Sequence, residues 1–396
     1  MTFKIIWQAF LAILLMFLML PPIKSLYFNS GLRWLYILIF SFITGYFLTP
    51  FCRMVAIKLN ILDKPNWRKI HQKSTPLLGG LGVYLALSLA LLSNNIFLPG
   101  MKSLLLGATL ILIMGLWDDI RPLPALVKLI FQILISLLVI FLGKIELTFF
   151  YNTPWAQFIN VPLTVLWIVG LTNAMNFFDG IDGLATMMSI ISATFLGIIS
   201  FKTNQPSIGW FSVALAGSCM GFMPHNFRVG KPALLFLGDA GSTFLGFTLA
   251  GLAVLGTWSN TSHFVSLTAP IFVFGILIFD MVYVNLSRLK NHVVSNFFEL
   301  FICVNKDHLH HRLLFMGFAR KEVVFIISIM SICLNVSALI IMNQKPTEAL
   351  LGIIQAIMIL ILIVILMLRG REKTYKRDDR NVLNGRQADH SSLDSI

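Results

Sequence analysis

The sequence predicts an all-α protein, a polytopic integral membrane bundle of about 11–12 transmembrane helices. Composition is the first reason. Of 396 residues, 57% are hydrophobic and only 12% are charged, with a mean hydropathy of +0.84, a balance foreign to soluble globular chains. The second reason is that the apolar residues come in runs close to the ~20 residues needed to cross a hydrocarbon core. The third is the placement of positive charge. If the runs alternate in direction, 23 of the 30 Lys and Arg residues fall on one side and only Lys102, Lys144, Lys202 and Lys345 on the other after the second span. Cytoplasmic loops carry such an excess, so the first side is the cytoplasm. Lys24 and Arg33 lie outside in this scheme and run against it.

Taken in order, the first run, Ile5 to Leu20, is followed by Pro21-Pro22 and lacks a small-residue cleavage site. It reads as a retained span rather than a signal peptide, so that residues 1–32 form an extra N-terminal membrane segment. Further runs lie at 33–52, 77–95, 100–117, 126–143, 159–175, 184–200, 208–224, 240–257, 265–286, 322–342 and 348–368. Residues 33–368 thus form one polytopic domain. The tail, 369–396, is polar, mixed in charge and poor in aromatics, and reads as a disordered cytoplasmic extension. Cys52, Cys219, Cys303 and Cys333 are scattered singly, which suggests neither a disulfide framework nor a zinc site. The net charge of +13 is accounted for by the cytoplasmic loops and does not point to nucleic acid.

The acidic residues locate the chemistry. Carboxylates are costly near a bilayer, yet Asp118, Asp119, Asp179, Asp182, Asp239 and Asp280 all lie at or near the cytoplasmic ends of spans. A site there could bring a water-soluble substrate to a lipid one. Its centre is the stretch Asn173-Ala-Met-Asn176-Phe-Phe-Asp179-Gly180-Ile-Asp182-Gly183-Leu-Ala185. Polar residues three apart drift by about 60° per step on an α-helix, so these four cannot share one narrow face. The chain should bend at Gly180 and Gly183; Leu184 to Ser200 is apolar enough for a new spanning helix, whose N-terminus would start at Asp182 or Gly183, where free N–H groups favour an anion such as phosphate. A plain capped loop with Asp182 as N-cap suits the same residues.

Four other segments share that side. Asp63-Lys-Pro-Asn-Trp-Arg68-Lys69-Ile-His71, with Gly79-Gly80 beyond it, sets basic and imidazole groups beside the membrane; an anchor on lipid phosphates is the simpler reading. Asp118-Asp119 close the fourth span. Adjacent carboxylates raise one another's pKa, so the pair calls for a divalent metal or for Lys128, unless it is merely solvated. Asn226 to Ser242 contains Phe236, a face on which a nucleobase could stack or an ordinary core aromatic, and then Gly238-Asp239-Ala-Gly241-Ser242 directly before an apolar helix. That run suits Mg²⁺ and phosphate, because magnesium prefers oxygen ligands and often shares them with a diphosphate. The last segment is Asp307-His308-Leu-His310-His311-Arg312. No cysteine or well-spaced carboxylate completes a zinc set around it, and phosphate binding is the better chemical match.

Together these segments, from about Arg53 to Phe318, resemble the polyprenyl-phosphate N-acetylhexosamine-1-phosphate transferases, a glycosyltransferase family 4-like group of membrane enzymes. The resemblance rests on Asp63–His71 with Gly79-Gly80, Asp118-Asp119 with Lys128 and Gln132, Asn173–Ala185, Phe236–Ser242 and His308–Arg312. It implies transfer of a sugar 1-phosphate, most simply GlcNAc-1-phosphate, from a UDP-sugar donor to a polyprenyl phosphate acceptor in the bacterial inner membrane, with release of UMP and the active site facing the cytoplasm. It implies Mg²⁺, with Mn²⁺ as an alternative ion, held by Asp239. It also implies catalytic roles for Asp118, Asp119 and Asp239, the first of them deprotonating or positioning the lipid phosphate. Asn176, Asp179, Asp182 and Phe236 match the nucleoside side, and Asn173 counts with the substrate-binding residues; His308, His310, His311 and Arg312 match the diphosphate motif; Lys69 and His71 belong to the basic segment that binds substrate. No nucleic acid is implied as a partner, and a homodimer is compatible. The form of Asp63–His71 and the spaced histidines resemble the branch that starts O-antigen, common-antigen or wall teichoic acid synthesis. The alternatives are the phospho-MurNAc-pentapeptide transferase of peptidoglycan synthesis, which usually has three adjacent histidines, and, from another class, a transporter. A transporter would place charges at mid-membrane and show an internal repeat, and the sequence has neither. One departure from the family is the apolar insert Phe297–Val304, where a short polar turn is usual.

Overall fold

The computed structural model describes residues 2–63, 74–149, 155–259, 263–291, 307–342, 347–348 and 350–370. The helices follow the apolar runs closely: α1 (Thr2–Leu18), α2 (Pro21–Asn29), α3 (Arg33–Lys58), α4 (Gly79–Ser93), α5 (Pro99–Ile120), α6 (Ala125–Gly143), α7 (Ala156–Phe178), α8 (Leu184–Lys202), α9 (Pro206–Asn226), α10 (Gly238–Leu255), α11 (His263–Val273), α12 (Gly275–Lys290), α13 (Leu309–Phe315), α14 (Arg320–Met342) and α15 (Leu350–Gly370). A two-residue antiparallel ladder, β1 (Leu62–Asp63) with β2 (Thr75–Pro76), joins α3 to α4, with Leu62 opposite Pro76.

Among the described residues, nine helices are long and apolar enough to span a membrane, and eleven spans result if two bent pairs each count once. Both pairs differ from the straight spans expected from hydropathy. The first run breaks after Leu18, where α1 meets α2 at 76°, because Pro21 and Pro22 start a new helix more readily than they continue one. The expected span 265–286 breaks at Phe274, and α11 meets α12 at 76°. The expected span 77–95 is the 15-residue α4, about 22 Å long and short for a crossing on its own.

The bundle is arranged around α10. Within its membrane window 89% of α10 is buried, against 28% for α6 and 22% for α15, so α10 is the central helix and the other two line the rim. Small residues permit this. A Cβ on Gly80 would overlap the Gly241 Cα, and the Gly79 and Gly80 N–H groups donate to the Phe236 and Leu237 carbonyls at 3.0 and 2.9 Å. Close backbone approach of this kind substitutes for a hydrophobic driving force inside a bilayer. α10 packs chiefly against α5 and α7, while α9 packs against α3 and α8. Outer faces stay apolar, as at Leu134, Phe141, Leu351 and Ile361.

The two outlying positive charges have a structural explanation. Lys24 Nζ donates to the Ser93 carbonyl at 2.5 Å and Arg33 Nη2 to the Asn94 carbonyl at 2.5 Å, while the Arg33 guanidinium stacks 3.6 Å from the Trp210 ring centre. Both charges therefore sit at the C-terminal end of α4, where unpaired carbonyls and the helix dipole favour cations.

Candidate active site

The C-terminal ends of α5, α7 and α9 and the N-terminal ends of α6, α8 and α10 meet at one end of the bundle, as alternating connections require. The Asn173–Ala185 stretch bends as expected. Asn173 and Asn176 ride on the last turns of α7, the helix stops at Phe178, and α8 starts at Leu184 after Gly183 with φ +84°. That left-handed conformation suits glycine. Of the two starts open to the sequence, Asp182 and Gly183, the structure takes the second, and Asp182 is not the cap that a plain capped loop would use. Gly183 is the N-cap residue, and its own N–H donates to Asn226 Oδ1 at 2.7 Å.

Asp118 and Asp119 point to different partners, which relieves the repulsion of adjacent carboxylates. Asp118, buried, accepts from the Leu123 N–H at 2.7 Å and from Lys128 Nζ at 2.7 Å. Asp119 accepts from the Asp239 and Ala240 N–H groups at 2.8 and 3.2 Å. Thus the Gly183 N–H at the start of α8 and the Asp239 and Ala240 N–H groups of α10, where phosphate was expected, are engaged by the protein's own Asn226 and Asp119. Neither expectation could include an occupant so distant in sequence.

Asp239 stands at the first turn of α10 with its side chain 44% exposed, far more open than Asp118 at 3%. Asn176 Nδ2 donates to its Oδ1 at 3.1 Å and to Ser242 Oγ at 2.9 Å. Lys128 Nζ lies 3.4 Å from its Oδ2, so one ammonium bridges Asp118 and Asp239. Behind this layer Asn173 and Gln132 pair amide to amide, Asn173 Nδ2 donating to Gln132 Oε1 at 2.7 Å. Asp182 lies in the turn beside Asp179, and Phe236 is half-buried just ahead of α10.

Asp179 follows α7 directly. Burial pushes its carboxyl well above the ordinary range, and the negative charges of Asp239, Asp119 and Asp182 push it further. Several carboxylates gathered around Lys128, the cation bridging Asp118 and Asp239, form an oxygen donor set that fits a hard divalent cation. No three His, Cys, Asp or Glu side chains among the described residues form a closed metal cage. Magnesium usually takes one or two carboxylates and completes its shell with water and substrate phosphate, so a single open Asp239 is consistent with it.

The histidine segment closes on the same turn. A Cβ on Gly180 would lie 2.7 Å from His310 Nε2, and the His308 ring stacks on Phe177 with centres 4.9 Å apart. His310 is fully buried, and neither ring nitrogen has a partner among the described residues. Burial, then the neighbouring His311 and His308, hold His310 well below the ordinary histidine pKa, so it is neutral at pH 7 with one donor and one acceptor left for a ligand. His311 is half-buried, its ring 4.2 Å from that of His310. Arg312 is buried instead. Its Nε and Nη1 donate to the Asp307 and Met367 carbonyls, each at 2.6 Å, so these two bonds anchor the turn to α15. Lys69, His71 and the insert Phe297–Val304 lie outside the described residues.

Two features escaped sequence reasoning. Asp280, buried on α12, binds the histidine turn, and Arg288 grips Asp307 through two bonds of 2.7 and 2.8 Å. The signal available was a carboxylate and an arginine at helical spacing on the same stripe as Ile276, Leu277 and Val284, each of which needs a partner once buried.

Residues 101–257 match the model of glycosyl transferase family 4. The chain is 32% identical over 311 residues to the probable undecaprenyl-phosphate N-acetylglucosaminyl 1-phosphate transferase of Bacillus subtilis, covering 76% of this chain and 83% of that one. It is 28% identical over 289 residues to the undecaprenyl-phosphate alpha-N-acetylglucosaminyl 1-phosphate transferase of Escherichia coli K12, covering 70% and 76%. With the decaprenyl-phosphate N-acetylglucosaminephosphotransferase of Mycolicibacterium smegmatis it shares 27% over 360 residues, covering 83% and 87%.

Proposed function

The chain belongs to the polyprenyl-phosphate N-acetylhexosamine-1-phosphate transferases of glycosyl transferase family 4, and from that premise we propose that it transfers GlcNAc-1-phosphate from UDP-GlcNAc to undecaprenyl phosphate with release of UMP. The observation that carries this reading is the bridged pair Asp118–Lys128–Asp239 with Asn176, gathered at one end of a membrane bundle. A nucleotide donor and a lipid acceptor can meet at such a place. We read that end as cytoplasmic, facing inward from a bacterial inner membrane, because the Lys and Arg residues concentrate there.

The reaction is a single in-line displacement. An oxygen of the lipid phosphate attacks the β-phosphorus of UDP-GlcNAc, the bond from that phosphorus to the bridging oxygen breaks, and UMP leaves with the electron pair. Asp239 and the donor diphosphate would hold Mg²⁺, which when bound neutralises the diphosphate and stabilises the leaving UMP. Asn176 fixes the Asp239 carboxylate by donating to Oδ1. Lys128 keeps Asp118 and Asp239 apart in charge and offers a cation to an entering phosphate. Asp118 positions the lipid phosphate or takes its proton. His308, His310 and His311 contact the donor diphosphate, with the free ring nitrogens of His310 as the acceptor and donor available. Asp179, Asp182 and Phe236 lie toward the nucleoside.

The test is a transfer assay with purified protein, Mg²⁺, undecaprenyl phosphate and a panel of UDP-HexNAc donors, read by mass spectrometry of the lipid. The reading expects a GlcNAc-diphospholipid and equimolar UMP. Vesicles that move solute while forming no lipid-linked sugar would replace it with the transporter.

A further inference from the structure

The histidine turn does not hold itself in place. It is carried by α12, the short helix beyond the 76° break at Phe274, through two charged residues on that helix. Asp280 is 1% exposed, and its two oxygens have separate tasks: Oδ2 lies 2.7 Å from His308 Nδ1, and Oδ1 accepts the Leu309 N–H at 2.8 Å. Two turns further on, Arg288 grips Asp307. The His308 ring, held between Asp280 on one side and Phe177 on the other, has its Nε2 left over among the described residues. A carboxylate can only accept, so the imidazole must carry a proton on Nδ1, and in the tautomer this selects the ring's lone pair lies on Nε2.

We propose that Asp280 is a positioning residue for the transfer reaction, fixing the tautomer and direction of His308 so that Nε2 is presented to the substrate. The inference rests on the reading that the histidine turn contacts the donor. It adds that α12 sets the turn's chemistry as well as its place.

Asp280→Asn separates these two effects. The side-chain amide keeps the shape and can still accept the Leu309 N–H, but its NH₂ then faces Nδ1 and favours the opposite tautomer, with the proton on Nε2. The experiment measures kcat/KM and melting temperature for wild type, Asp280→Asn, His308→Ala and the double variant, with UDP-GlcNAc, undecaprenyl phosphate and Mg²⁺. We expect Asp280→Asn to lose about tenfold or more in kcat/KM at nearly the wild-type melting temperature. The double variant should be no worse than His308→Ala, because without the imidazole there is nothing left to orient. Full activity of Asp280→Asn, losses that multiply in the double variant, or losses that track the melting temperature overturn the proposal. Where Asp280→Asn does not accumulate, Asp280→Glu goes through the same cycle: it keeps the charge and displaces it by one methylene. A wild type that makes no lipid-linked sugar overturns the functional reading and this proposal with it; an active wild type with an indifferent Asp280 overturns this proposal alone.

Discussion

Asp239 is the residue on which the proposed chemistry turns, since it is half-exposed while Asp118 and Asp119 are committed to Lys128, Leu123 and the start of α10. Asp239→Asn should reduce kcat by about 100-fold or more while the protein still inserts and folds. It should also cancel the rise in melting temperature that Mg²⁺ gives the wild type, which at 100 times Kd corresponds to about 2.7 kcal/mol. A variant that keeps its turnover at limiting Mg²⁺ excludes the ligand role. His310 yields a second prediction through linkage. Its pKa is depressed in the folded protein and returns to about 6.5 on unfolding. Below that value the unfolded chain binds the extra proton, so the stability carried by the neutral ring is present above pH ~6.5 and is lost as pH falls toward the depressed value. Between pH 7 and pH 5 the melting temperature of the wild type should therefore fall further than that of His310→Ala. The same variant should lose about ten- to a hundred-fold in kcat/KM if His310 meets the diphosphate. Unaltered turnover with a large drop in melting temperature would assign the residue to the fold.

At the scale of elements, the site depends on how closely α10 can be approached. Gly80→Ala drives a methyl group into the Gly241 backbone, so α4 must move away from the N-terminus of α10. Overpacking of this kind costs about 1–3 kcal/mol, and here it also displaces Asp239. The variant should show both a lower melting temperature in detergent and reduced turnover; normal values of both would mean the helices have room to part. The helix termini also show where reading from sequence stops. The bend at Gly180 and Gly183 was legible, because polar residues three apart cannot share a helical face. That Asn226 engages the start of α8 and Asp119 the start of α10 was not, since the partners lie 43 and 120 residues away. The 76° break between α11 and α12 was hidden for another reason: hydropathy averaged over a window rises equally for one straight span and for two apolar pieces set at an angle.

For the molecule as a whole, the sequence was informative wherever membrane physics limits the options. Bundle, span positions and the side bearing the carboxylates followed from apolar runs, segregated Lys and Arg, and Asp residues that a bilayer tolerates only near its edge. Individual contacts within the site needed coordinates, as Arg312 illustrates: its place in the motif suggests a phosphate contact, and nothing in the sequence shows that its Nε and Nη1 also donate to the Asp307 and Met367 carbonyls. Membrane orientation can be checked by cysteine labelling in intact cells. A cysteine replacing Lys231 should resist an impermeant maleimide until the membrane is opened, and one replacing Lys144 should react at once; the reverse pattern would put the site outside. The most direct measurement of the central claim follows the two donor phosphates. UDP-GlcNAc labelled in the β-phosphate is mixed with purified protein, Mg²⁺ and undecaprenyl phosphate, and a parallel sample carries the label in the α-phosphate. Direct displacement predicts the β label in the lipid, the α label in UMP, and neither released in the absence of acceptor. A β label bound to the protein, rapid UMP release without lipid, or β label appearing as free phosphate would contradict it.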